Sequence, residues 1–191
     1  MAAAADAVRG WVHPADRYPG PVRAELARRR EQILVRAHGR ILDLDDPESI
    51  APFLGIGATT IGRLAGGGGP APDPGVPADR YDTVVATGVL AGFADLGAIV
   101  AALAALIVDD GALLFVEPVG EPGWSHVVRT SLPDPRSRGA ASRTLHLDRD
   151  IPAAVWSTGL VVCDLDRGEL PAQPRSLRHW VTGRALRIPG A

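Results

Sequence analysis

The chain has 191 residues, with a hydrophobic fraction of 46% and a charged fraction of 22%. That composition suits one ordinary globular domain with a real core and excludes bulk disorder. A formal net charge of −2 excludes a general nucleic-acid or anionic-membrane binder.

The single cysteine, Cys163, excludes an intramolecular disulfide framework and a cysteine-cluster zinc site. The longest uncharged apolar run, Leu96 to Val108, falls short of the roughly 20 residues a membrane-spanning helix needs. All 20 basic residues are Arg, a bias of codon usage rather than of chemistry. Met1 to Val8 is mostly alanine with Asp6 inside it. No apolar core of a signal peptide follows, so a cytoplasmic location is expected.

Residues 1–20 are expected to be flexible, with one domain over 21–191. Pro21 suits the first turn of a helix reaching Ala37. Val22, Leu26, Ile33, Leu34 and Ala37 give its apolar face, and Arg28, Arg29, Arg30 and Arg36 its solvated face. His38-Gly39 ends it. Arg40 to Leu44 then reads as a short buried strand, broken by Asp45-Asp46-Pro47-Glu48-Ser49. Pro47 and its neighbouring acids can start a short helix through Phe53. Residues 66–79 hold four successive glycines and four prolines, a loop that admits neither helix nor central strand.

The clearest pattern follows. Tyr81 to Ala86 is a β-branched run, and Leu96, Ile99, Val100, Leu103, Leu106 and Ile107 form an apolar stripe at helical spacing. Asp95 is a fitting N-cap, and Gly111 is expected in the left-handed conformation after the helix. Ala112 to Val116 is a continuous apolar strand that Glu117-Pro118 terminates. Strand, helix, strand predicts a right-handed βαβ unit in a parallel sheet covered on both faces. Residues 120–142 read as irregular. A helix is expected from Asp150 to Thr158, a strand over Leu160–Leu165 and a last strand over Leu177–Arg187. These two strands suit an antiparallel pair at a sheet edge.

Arg80-Tyr-Asp-Thr-Val-Val-Ala86, Val89-Leu90, Asp95, the helix, and Asp110-Gly111-Ala-Leu-Leu-Phe-Val-Glu117 together resemble the second half of class I S-adenosylmethionine-dependent methyltransferases. The similarity is greatest to the type 11 small-molecule and lipid or quinone group. Gly39-Arg-Ile-Leu-Asp43-Leu44 is similar to that family's first strand, and Arg143 to Asp150, Gly159 and Leu160–Leu165 to its late portion. The resemblance touches about 150 of the 191 residues and is most specific over 80–117. It implies a single Rossmann-like α/β domain, S-adenosylmethionine as cofactor and a small-molecule or lipidic acceptor.

Two departures accompany it. The family's glycine-rich loop, which lets backbone N–H groups approach the cofactor, is replaced after Asp43-Leu44 by acids and Pro47. The stretch from Asp45 to Tyr81 is also too short for two βαβ units at roughly 30 residues each. A shortened fold before residue 80 follows. Two functions remain open: methyl transfer, or a non-catalytic partner or regulatory protein of the same descent, alone, as a homodimer or with another protein.

In the family such as this resembles, catalysis rests mostly on placement of the acceptor against the methyl group. The resemblance implies Asp43, Asp45, Thr87 and Gly88 as cofactor-side residues, at the carboxyl edge of the sheet where open α/β folds bind ligands. His126 and His146 are candidate bases. His13, His38 and His179 have no metal-ligand spacing, and Gly123-Trp-Ser-His126 is no nucleophile elbow. Cys163, in an apolar strand, is expected to be buried and inert.

Overall fold

The computed structural model describes residues 20–44, 59–60, 80–92, 95–120, 129–132, 143–170 and 177–190. In chain order these form α1 (Gly20–Leu34), β1 (Arg40–Asp43), β2 (Thr59–Thr60), β3 (Tyr81–Thr87), a 3₁₀ turn (Leu90–Gly92), α2 (Leu96–Leu106), β4 (Ile107–Val119), β5 (Arg129–Leu132), β6 (Arg143–His146), α3 (Ile151–Trp156), β7 (Leu160–Glu169) and β8 (His179–Arg187).

Six strands make one sheet in the order β2-β1-β3-β4-β8-β7. The first four run parallel. β8 is antiparallel to both β4 and β7, so the predicted antiparallel pair at the edge is present. β5 and β6 form a separate antiparallel pair.

Period-two side-chain alternation divides the core. Leu113 and Phe115 of β4 face one side, with Leu96, Ile99, Val100 and Leu103 of α2 and Ile151 and Val155 of α3. Ala112, Leu114 and Val116 face the other, with Val22, Leu26, Ile33 and Leu34 of α1 and with Trp180. Helices therefore cover both faces, as the doubly apolar strands require. Among the described residues no helix is long and apolar enough to cross a membrane.

Local chemistry fixes the element ends. The Asp95 side chain accepts the Ala98 N–H at 2.9 Å and that of Asp150 accepts the Ala153 N–H at 3.0 Å, so both acids are N-caps. α1 stops at Leu34, three residues before the expected end. Gly39 follows at φ +64°, and a Cβ there would collide with the Asp82 side chain. That carboxylate accepts the Arg40 N–H at 2.7 Å, which aims β1 into the sheet.

Three further expectations are corrected. The left-handed residue after α2 is Asp110 at φ 65°, not Gly111. Gly111 is needed for close packing instead, since a Cβ there would lie 2.7 Å from Ile107 Cγ2 and 2.9 Å from the Asp82 carbonyl oxygen. Cys163 is exposed: it sits at a register shift between Val162 and Asp164 on the outer strand β7, off the regular alternation. The stretch 120–142, read as irregular, contains β5. The short helix from Pro47 to Phe53 and the loop 66–79 lie outside the described residues.

Candidate functional site

The parallel strands β1, β3 and β4 end side by side at one edge of the sheet. β1 ends in Asp43 and β3 in Thr87, and Glu117 lies near the end of β4. All three side chains are buried. Buried polar groups in such a place need internal partners, and two other parts of the chain supply them.

The first partner is Arg30 on α1. Its guanidinium donates to Asp43 Oδ2 at 2.7 Å through Nη2 and to Thr87 Oγ1 at 3.1 Å through Nη1. One planar fork thus ties the ends of β1 and β3 to the helix that covers them. Arg30 was expected on a solvated face with Arg28, Arg29 and Arg36. Arg28 and Arg36 are exposed and pair with Glu25 and Asp164. Arg29 and Arg30 are buried, and Arg29 reaches Glu25 at 3.0 Å and lies against Gly168 of β7. The signal that distinguishes Arg30 is its spacing. It falls four residues from both Leu26 and Leu34, inside the apolar stripe.

The second set of partners is backbone. Glu117 accepts the N–H groups of Val89 at 2.9 Å, Leu90 at 3.0 Å and Ala91 at 3.2 Å. The Gly88 N–H donates to the Val116 carbonyl at 2.7 Å, and Gly88 takes φ +67°, a conformation open to glycine at little cost. Burial pushes the Glu117 carboxyl up to about 7, against the opposing pull of the backbone N–H groups around it. The sequence pattern reads Glu117-Pro118 as the strand's end; β4 instead runs on to Val119, and the Glu117 carboxyl orders the turn after β3.

The structure places Asp43, Thr87 and Gly88 at the same edge of the sheet. Asp45 and His126 lie outside the described residues. His146 is half-buried at the end of β6, and β6 packs against the 3₁₀ turn that follows β3. His38 and His179 lie elsewhere. The His38 N–H donates to Thr83 Oγ1 at 3.1 Å, and His179 approaches Glu169 at 4.0 Å. Among the described residues no cluster of His, Cys, Asp or Glu can hold a metal ion.

No protein-family model matches the chain, and no curated protein matches it in sequence. Solved structures do match in fold. BH2331 of Bacillus halodurans C-125 superposes with a TM-score of 0.56 at 10% identity, over 85% of this chain and 98% of that one. YcgJ of Bacillus subtilis does so with a TM-score of 0.55 at 13% identity, over 87% and 99%. The N-methyltransferase NodS of Bradyrhizobium japonicum WM9, in complex with S-adenosylhomocysteine, gives 0.53 at 12%, over 87% and 88%. The fold is that of class I S-adenosylmethionine-dependent methyltransferases.

Two outcomes follow. Arg30→Met leaves the Asp43 carboxylate buried without its cation and is expected to cost about 3–5 kcal/mol of stability. Adding Asp43→Asn to it should restore much of that loss, as read by urea denaturation. Glu117 titrates at 4.5 when unfolded and at about 7 when folded. Its contribution to stability is therefore whole below pH 4.5 and is lost as pH rises through about 7. Glu117→Gln should flatten that part of the stability profile between pH 5 and 8, measured by denaturant titration at each pH.

Proposed function

We propose that the chain binds S-adenosylmethionine at the edge formed by Asp43, Thr87 and Gly88 and transfers its methyl group to a small or lipidic acceptor. The observation that carries this is the Arg30–Asp43 pair at the end of β1. The cofactor's amino-acid end bears a carboxylate and an ammonium group, and the pair offers one group of each complementary charge. Thr87 adds a hydroxyl between them, within reach of the guanidinium.

When bound, the cofactor supplies an activated methyl on a sulfonium. The chain's own part is placement. Arg30 would take the carboxylate and Asp43 the ammonium, exchanging their mutual bond for two to the ligand. Gly88, with no side chain, leaves room for close approach to the backbone after β3. Asp45 adds a negative charge two residues past Asp43. On the acceptor side, His146 on β6 and His126 are the candidates to take a proton from the acceptor. The fold makes no demand for a separate nucleophile, since transfer depends mainly on alignment. A cytoplasmic, single-domain protein is part of the same proposal.

A second reading is favoured by the same pair. Arg30 and Asp43 already pair with one another and are buried together, so the two charges of the edge are balanced with no ligand in it. That suits a non-catalytic protein of methyltransferase fold that acts through a protein partner or as a homodimer. Isothermal titration with S-adenosylmethionine and S-adenosylhomocysteine separates the two. Binding at micromolar strength, about −8 kcal/mol, is expected for the enzyme and should be lost in Arg30→Met. No heat at millimolar ligand, from protein shown to be folded, would leave the partner role.

A further inference from the structure

Glu117 places a fully buried carboxylate where a methylene side chain would pack at lower cost. What it obtains there is a set of three successive backbone N–H groups, from Val89, Leu90 and Ala91. Successive N–H groups converging in a turn make an anion-binding concavity. Here the concavity is filled from within, by a side chain of the neighbouring strand. The turn it holds is the one that carries Thr87 and Gly88 to the sheet edge, and its near end is also pinned by the Gly88 N–H to Val116.

We propose that Glu117 is a positioning residue of this edge: its carboxylate fixes the backbone from Gly88 to Ala91, and through it the face that Thr87 and Gly88 present to a ligand. The inference rests on the edge being the ligand site and deepens that reading. Glu117 is fully buried and acts on the edge through the turn it holds. Because the N–H groups are already occupied by the Glu117 carboxyl oxygens, the turn after β3 offers no seat to a phosphate or carboxylate. Anionic groups of a ligand are left to Arg30 at the end of β1.

The test uses the full chain and Glu117→Gln, which keeps size and one acceptor oxygen while removing the charge. Amide hydrogen exchange is followed by NMR at Val89, Leu90 and Ala91, with Val84 and Leu114 as references in the strands. Exchange at the three turn amides is expected to rise about tenfold or more, with the references unchanged, as one or two bonds are weakened. The Kd for S-adenosylhomocysteine should rise by about tenfold in the same variant.

Unchanged exchange at the turn, or a uniform rise that includes the references, overturns the proposal. So does an unchanged Kd in a variant whose turn has loosened. If Glu117→Gln does not fold, the wild-type amides decide: protection of about 100-fold or more over an unfolded chain supports the clamp, and its absence overturns it. If the wild-type protein binds no S-adenosylhomocysteine, the cofactor reading fails by itself. The exchange pattern still decides whether Glu117 holds the turn.

Discussion

A guanidinium from α1 holds the ends of two parallel strands. Arg30 reaches Asp43 at the end of β1 and Thr87 at the end of β3, and the rest of the sheet edge is arranged around that fork. The pair is buried on both sides, so its Coulombic gain is set against a large desolvation cost. It fixes α1 over the sheet by tying one helix position to the ends of two strands. It also decides what the edge can do. Under the proposed cofactor binding, the same two charges would engage an amino-acid zwitterion, and ligand binding and the seating of α1 would be coupled through one interaction.

The neighbouring strand solves a related problem differently. Glu117 has backbone N–H groups for partners and orders the turn after β3. Between them, Arg30 and Glu117 hold both sides of the segment Thr87–Ala91. A strand edge held from both sides is what placement chemistry needs, since small displacements of a bound reactant are costly in rate. It is equally what a protein needs that keeps a stable surface for another protein. The fold is shared with NodS and YcgJ at 12–13% identity, a level at which common architecture does not transfer an activity.

The parts legible in the sequence are those where one force dominates. The strand from Tyr81, the helix from Leu96 to Leu106 and the apolar run Ala112–Val116 could be read because period-two and helical spacing of apolar residues follow directly from burial on two faces. Asp95 and Asp150 could be read as caps because a carboxylate before an apolar run has few other uses. Arg30 could not be read from its charge, which assigns arginine to solvent. Only its place between Leu26 and Leu34 marks it as buried. Glu117 looked like punctuation because its partners are backbone groups 26–28 residues earlier, which leave no trace in side-chain pattern. Gly111 and Asp110 exchanged roles because close packing against Ile107 and Asp82 claimed the glycine first. Cys163 was misplaced because a register shift on the outer strand is set by pairing with β8 rather than by local hydrophobicity.

The central claim is that the Arg30–Asp43–Thr87 edge is where an amino-acid-bearing cofactor binds. Nuclear magnetic resonance of ¹⁵N-labelled protein titrated with S-adenosylhomocysteine tests it most directly. Saturable shifts are expected at the amides of Asp43, Thr87 and Gly88 and at the Arg30 side-chain Nε–H, with the strand β7 amides unmoved. Saturable binding whose shifts fall elsewhere, or no shift at millimolar ligand, would contradict it.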